Sequence, residues 1–336
     1  MLPADCPAEV ISRMPGFLRR RQFKWILGAL LFAMALLGGL FCIDMYRAYG
    51  RIKGESRILA SPYGDIEYVE GGDGPDVLVI HGSGGGYDQG KIIVRSVLGD
   101  DFHWVVPSRF GYLGSTFHEG ATFEEQARAY GFLLDHIGID QAAVVALSHG
   151  GPSALLFAAM YPERVSSLTL ISCGVASSST GGQVQADRKG DLLVTIYRHD
   201  LLYWSLTRFF RKQFIGLMGA SGEVFAGLSP EQRELVDQVI YYMNPSSQRS
   251  AGAAFDNSAD MPNERIKAIQ SPTLVFHALD DMLQLFHNAE YAEANIPLAR
   301  LVSFDKGGHL LMIVEQERIR EEIKRHILES SRSNNS

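Results

Sequence analysis

Six short apolar runs rich in β-branched residues punctuate the chain: VLVIH (77–81), HWVVPS (103–108), AAVVAL (142–147), LTLIS (168–172), TLVFH (273–277) and RLVSF (300–304). Each is continuously apolar rather than alternating, so each must be covered on both faces, as strands of a parallel sheet are. Segments of helical spacing stand between them, at 123–137, 152–160, 287–295 and 310–328. Strand and helix in turn predict a doubly wound α/β domain, a mostly parallel sheet with helices on both faces. Ahead of the first run, RILASPYGDIEYVEGG alternates on both sides of Pro-Tyr-Gly-Asp, which reads as a hairpin.

Two stretches break this rhythm. The Ser/Gly-rich VASSSTGGQVQADRKGD leads into the aromatic-rich LLVTIYRHDLLYWSLTRFFRKQFIGLM, and LSPEQRELVDQVIYYM follows. In the last of these, Ser229 caps a helix with Pro230 at its first position and Gln232 reaching back. A helical insertion over 175–262 between two parts of the core, 57–174 and 263–330, accounts for all three. The second break is WILGALLFAMALLGGLFCI (25–43), which carries no charge and is long enough at 1.5 Å per residue to cross a hydrocarbon core of roughly 30 Å. It is long for the apolar part of a signal peptide and no small-residue cleavage site closes it, so it reads as a transmembrane anchor behind a short basic segment, 1–24. Arg19, Arg20, Arg21 and Lys24 bias the amino-terminal flank towards the cytoplasm and the body towards the exoplasmic (periplasmic or extracellular) side. Arg47, Arg51, Lys53 and Arg57 on the far flank weaken that bias.

A net charge of −7 argues against nucleic acid as a partner, since phosphate binding needs clustered Lys and Arg on the working face. Cys6, Cys42 and Cys173 lie far apart with no CxxC spacing, so no zinc or redox site is indicated. No metal, nucleotide or flavin is implied.

The run AAVVAL ends at Ser148, and SHGG opens the next helical segment. A tight strand-to-helix turn strains the backbone at its apex, so the residues two before and two after must be small; Ala146 and Gly150 are. Such a turn exposes a hydroxyl at the carboxyl edge of the sheet, where α/β proteins place their ligand crevice. The general pattern is G-x-S-x-G, and Ala146 replaces its first glycine. A serine that merely caps the following helix is the alternative. A nucleophile needs a base and fixed N–H donors for the oxyanion. IHGSGGG (80–86) ends an earlier strand in glycines, and the N–H groups of Ser83 and His149 are the candidate donors. That loop fits neither phosphate-cradling glycine motif. The strand TLVFH runs into ALDDML and the strand RLVSF into DKGGHL, which puts Asp280 or Asp281 and then His309 in loops past two further strand ends. The order Ser, Asp, His is the one expected of this architecture.

Together, IHGSGGG, PSRFGYLGS (107–115), ALSHGG, PTLVFHALDD and GGH resemble the α/β-hydrolase superfamily, from about residue 57 onwards. Ala146 and Ala278 depart from it, each standing where the family often has glycine. Aligning HALDD with the family's H-G-x-x-D puts the acid at Asp281, with Asp280 second. The resemblance also implies that the insertion is a cap over the active site. Together with the apolar segment 25–43, it points to a membrane-anchored serine hydrolase that cleaves carboxylic esters, with Ser148, His309 and Asp281 as triad. Carbon–carbon bond hydrolases and cofactor-free perhydrolases use the same triad, and a binding protein that has lost its chemistry is the non-enzyme alternative. The expected partner is a small-molecule ester with an apolar acyl or aromatic part. The cap stripe of Tyr197, Tyr203, Trp204, Phe209, Phe210 and Phe214, with Leu201, Leu202, Leu206 and Leu217, reads first as cap core and second as an acyl pocket.

Overall fold

The computed structural model describes residues 16–333, with side chains from 23 to 331. Cys6 and residues 1–15 of the basic segment lie outside the described residues. The chain divides into two compact units, Met1–Arg47 and Ala48–Ser336. One long helix, α1, spans Gly16–Arg51. Leucine is its commonest residue, alanine and phenylalanine recur, and proline is absent, so no residue forces a break, although five glycines weaken the local propensity. Its part Phe23–Arg51 is long and apolar enough, by length and composition, to cross a membrane. Trp25, Ile26, Leu30, Phe32 and Met34 on it are all exposed.

The second unit is built on one eight-stranded sheet: β1 (Arg57–Ser61), β2 (Gly64–Gly71), β3 (Asp76–Ile80), β4 (His103–Pro107), β5 (Ala142–Leu147), β6 (Val165–Ile171), β7 (Thr273–Ala278) and β8 (Ala299–Phe304). The strand order is β1-β2-β4-β3-β5-β6-β7-β8. The hairpin β1–β2 and the pair β2–β4 are antiparallel, and every later pair is parallel. The continuous hydrophobicity of the inner strands has its explanation here, because successive residues feed two separate cores. Val77, Val79, Ala143 and Val145 face one, while Leu78, Ile80, Val144 and Ala146 face the other. β8 departs from the expected two-sided burial, since it closes the sheet as an edge strand with Arg300 and Ser303 exposed.

Helices cover both faces. They are α2 (Tyr87–Ile93), α3 (Phe123–Ile137) and α4 (Gly151–Met160) in the first half, and α3 starts on a capping box between Thr122 and Glu125. Between β6 and β7 stands the insertion, with α5 (Gly181–Tyr197), α6 (Asp200–Phe209), α7 (Arg211–Leu217), α8 (Gly222–Gly227), α9 (Pro230–Tyr242) and α10 (Ser250–Ser258). Ser229 and Gln232 form the capping box that opens α9. After α11 (His287–Asn295) and β8, the segment read as one helix over 310–328 is two, α12 (Leu311–Val314) and α13 (Gln316–Ser333). The helical hydrophobic period runs across the break at Glu315, so the sequence hides it. The cause is tertiary: Leu311, Met312 and Ile313 are buried together, while Gln316 and Arg320 donate to the Ser96 carbonyl, which sets α13 in place.

From β3 the chain crosses to β4 on one side of the sheet, and from β5 it crosses to β6 on the other. This reversal opens a crevice between the carboxyl ends of β3 and β5, the position at which such sheets bind ligands. The loops IHGSGGG and SHGG are the two that leave those strand ends.

Candidate active site

Ser148 stands at the apex of the turn after β5 with φ 53°, in the left-handed region that a side-chain-bearing residue enters only under constraint. The need for small neighbours is steric and specific. A Cβ on Gly150 would lie 2.7 Å from the carbonyl oxygens of both Ile80 and His81, and one on Gly82 would lie 2.9 Å from the Cβ of Ser148. Ala146, where the general motif has glycine, points into the buried core on the α3/α4 side and its methyl is accommodated there. The serine is 5% exposed and lines the cavity beside His309.

Ser148, His309 and Asp281 form a hydrogen-bonded chain. Ser148 Oγ is 2.9 Å from His309 Nε2, and His309 Nδ1 is 2.8 Å from Asp281 Oδ2. With Nδ1–H donating to the carboxylate, Nε2 is the acceptor facing the hydroxyl. The other oxygen of Asp281 accepts the N–H groups of Leu283 (2.9 Å) and Gln284 (3.0 Å), which fix the plane of the carboxylate. Burial alone would push the Asp281 carboxyl up. His309, by charge and hydrogen bond, with His277 and the Leu283 N–H, outweighs burial and holds it below its ordinary value. Asp280 does different work: its Oδ1 accepts the Gly308 N–H at 2.7 Å and so holds the loop that carries His309.

Ser83 and Ser148 line one cavity with His309. Among the described residues nothing accepts the Ser83 N–H. His149 follows Ser148 in the same tight turn, Ser148–Gly150. The loop bearing Ser83 is held from behind. His81 Nδ1–H donates to the Gly82 carbonyl (2.7 Å) and His81 Nε2 accepts the Arg109 N–H (3.0 Å), so both ring nitrogens are used with the imidazole neutral. Complete burial, with Arg109 beside it, drives the His81 pKa well below its ordinary value. Arg109 Nε donates to the His81 carbonyl, and its two terminal nitrogens grip Asp256 of α10 at 2.6 Å each. Tyr112 donates to the same carboxylate and lies 3.3 Å from Ser83 Oγ. This cluster, inaccessible to solvent, ties the insertion to the loop at the end of β3. Sequence reasoning singled out PSRFGYLGS only as a family segment and missed Asp256 altogether; a lone aspartate in a helix carries no local sign of a partner on a distant loop.

The cavity measures about 90 Å³. Beyond the polar groups at its mouth its wall is apolar, made by Ile92 and Ile93 at the end of α2, Val239 and Met243 in and after α9, and Met312 and Ile313 of α12. None of the aromatic stripe of the cap lines it. Tyr197, Tyr203, Trp204 and Phe214 are buried in the cap, whereas Leu201, Leu202, Phe209 and Phe210 are exposed. A second cavity of about 220 Å³ touches His149 rather than Ser148 and has a polar wall including Asp187, Asp191 and Gln284.

A strained serine at a sheet switch point, backed by an imidazole and a buried carboxylate under a helical insertion, defines a class. Residues 75–316 match the family model for the alpha/beta hydrolase fold, and the chain belongs to that family, as a hydrolase. It is 27% identical over 264 residues to the uncharacterized hydrolase YcgS of Bacillus subtilis, covering 74% of this chain and 90% of that one. A thermophilic esterase from Thermogutta terrifontis superposes with a TM-score of 0.64 at 23% identity, over 82% of this chain and 99% of its own. A membrane phospholipase A, described as a bacterial virulence factor, superposes with a TM-score of 0.64 at 20% identity, over 95% of this chain and 99% of its own.

Proposed function

We propose that this hydrolase cleaves carboxylic esters at Ser148 and is held to a membrane by residues 25–43. The observation that carries the reading is the continuous hydrogen-bonded chain from Ser148 through His309 to Asp281 at the mouth of an apolar cavity. Ser148 Oγ attacks the ester carbonyl while its proton passes to His309 Nε2. Asp281 stabilises the imidazolium so formed and keeps Nδ1 protonated. The N–H groups of Ser83 and His149 receive the oxyanion. Collapse of the tetrahedral intermediate breaks the ester C–O bond, and His309 returns the proton to the leaving alcohol. Water, deprotonated by the same imidazole, then attacks the acyl-enzyme and releases the acid.

The apolar helix supports the anchor, and the membrane phospholipase A is a precedent for this fold at a bilayer. The cluster Arg19–Arg21 with Lys24 supports an exoplasmic body. Labelling of the full chain with a fluorophosphonate probe, lost in Ser148→Ala while the variant still folds, tests the chemistry. Ester turnover retained by Ser148→Ala refutes it, and labelling without ester turnover moves the reading to carbon–carbon hydrolysis or perhydrolysis.

A further inference from the structure

The outer face of α6 has no work in the site just described. Positions 201, 205 and 209 stand one above another at i, i+4 spacing, with 202 and 208 flanking them. The opposite face, Tyr203, Trp204 and Thr207, is buried in the cap. The outer face should therefore be polar, yet it presents Leu201 at 57% exposure, Leu202 at 40% and Phe209 at 54%, continued by Phe210 at 54%. Single exposed leucines are ordinary; four large apolar side chains on one helix and its next residue make a patch of the kind that marks an interaction surface. Arg208 lies within it and Lys212 follows, both exposed and neither in an ion pair among the described residues. The neighbouring Arg211 is already committed to Asp237.

We propose that this face of the cap docks on the surface of an anionic phospholipid bilayer, with the leucines and phenylalanines entering the headgroup boundary and Arg208 and Lys212 meeting lipid phosphates. Two observations select lipid over another occupant. The charges left unpaired are both positive in a chain whose net charge is −7, which is the complement of an anionic surface. The chain also carries its own membrane-crossing candidate, Phe23–Arg51, immediately before β1, so a bilayer is the apolar phase at hand. The inference rests on the anchor reading above and adds a second, reversible contact that brings the cap to the source of an apolar ester.

The test uses the full chain in vesicles of phosphatidylcholine with phosphatidylglycerol. Cys6 and Cys42 are replaced by serine, Cys173 is left in place because it is buried, and a single bimane-labelled cysteine is placed as Leu201→Cys, Phe209→Cys or, as a control on an exposed loop, Leu298→Cys. Lipids brominated near the headgroup should quench the first two labels at least about twofold more than the control. Equal quenching at all three positions overturns the proposal, as does energy transfer between labelled copies without lipid quenching, which would mean that the face pairs with a second chain. The variant Arg208→Glu/Lys212→Glu, which leaves the apolar side chains untouched, should lower hydrolysis of a long-chain umbelliferyl ester carried in those vesicles by about tenfold. It should leave p-nitrophenyl butyrate in solution unaffected; an equal loss on both substrates counts against docking. Failure of the anchor would show separately as release of the chain by alkaline carbonate, and failure of the ester chemistry as absence of fluorophosphonate labelling.

Discussion

If the proposed ester chemistry holds, the dimensions of the cavity beside Ser148 predict an acyl-chain optimum. A space of about 90 Å³, at roughly 15 Å³ for each water-sized group, holds on the order of six such groups. An acyl chain growing from acetate adds one methylene at a time to a wall of Ile92, Ile93, Val239, Met243, Met312 and Ile313. Each methylene fully withdrawn from water stabilises the bound transition state by about 0.8 kcal/mol, or about fourfold in kcat/KM. From acetate to hexanoate, four methylenes set a ceiling of about 3 kcal/mol, roughly 200-fold. Chains longer than the cavity have to displace Met243 or the α12 turn, so the rise should stop near hexanoate and reverse by decanoate. Initial rates on a p-nitrophenyl ester series, with the full chain in detergent, give this profile directly. Val239→Phe introduces a ring at the wall and should move the optimum to acetate or butyrate with the fluorophosphonate labelling rate preserved. A steady decline from acetate onward, or an optimum that Val239→Phe leaves in place, would refute the assignment of this cavity to the acyl chain.

The two adjacent acids should separate by mechanism: Asp281→Asn mis-sets the His309 tautomer and should cost about 10³–10⁴ in kcat, whereas Asp280→Asn keeps an oxygen to accept the Gly308 N–H and should cost less than about tenfold. Steady-state rates on one ester decide, and the reverse ranking moves the acid by one residue. Stability should fall as pH drops below about 6.5, because His81 and His277 are held below that ordinary value, chiefly by burial. The unfolded chain binds protons there that the native one refuses, which amounts to up to about 1.4 kcal/mol per pH unit for each group. Urea denaturation at pH 7.5 and 5.0 reads this, and equal midpoints contradict it. Removing residues 1–43 should yield an active soluble enzyme, while removing 1–51 should lower its melting temperature. The longer deletion takes away Arg51, which donates to buried Asp88 and to the carbonyls of Tyr242 and Asn244. Equal melting temperatures would show that this clamp contributes nothing.

The sheet was legible because its signal is local. A strand with both faces buried cannot carry polar alternation, and the six continuous runs correspond to β3 through β8; the burial itself holds for the inner strands and not for β8, which closes the sheet as a part-exposed edge. The turn at Ser148 was legible for a related reason: a positive φ at the serine and the two carbonyls that close on Gly150 restrict what can follow it, and that restriction is written within three positions. The boundary at Glu315 was not, since an amphipathic period is indifferent to a one-residue interruption when both pieces bury the same face. The cap aromatics were legible as apolar but not as inward or outward. Tyr203 and Phe209 belong to one helix and differ only in angle, and which angle is covered depends on neighbours elsewhere in the chain.

The least legible part is the support behind the loop that carries Ser83, and its energetics explain why it bears on the proposed chemistry. Arg109 and Asp256 lie 147 positions apart, so no spacing rule could pair them. Once both are stripped of water, an unpaired partner would cost about 3–5 kcal/mol, which makes every arrangement of the insertion that leaves Arg109 alone far less stable than the observed one. The pair therefore acts less as a source of net stability than as a selector of one geometry. Because Arg109 Nε and N–H also hold the carbonyl and ring of His81, the geometry selected includes the path of Gly82 and Ser83. Seating α10 is thereby coupled to the path of the loop that carries Ser83, the proposed oxyanion donor, and the second buried pair, Arg249 with Asp88, holds the same loop through the Gly85 carbonyl.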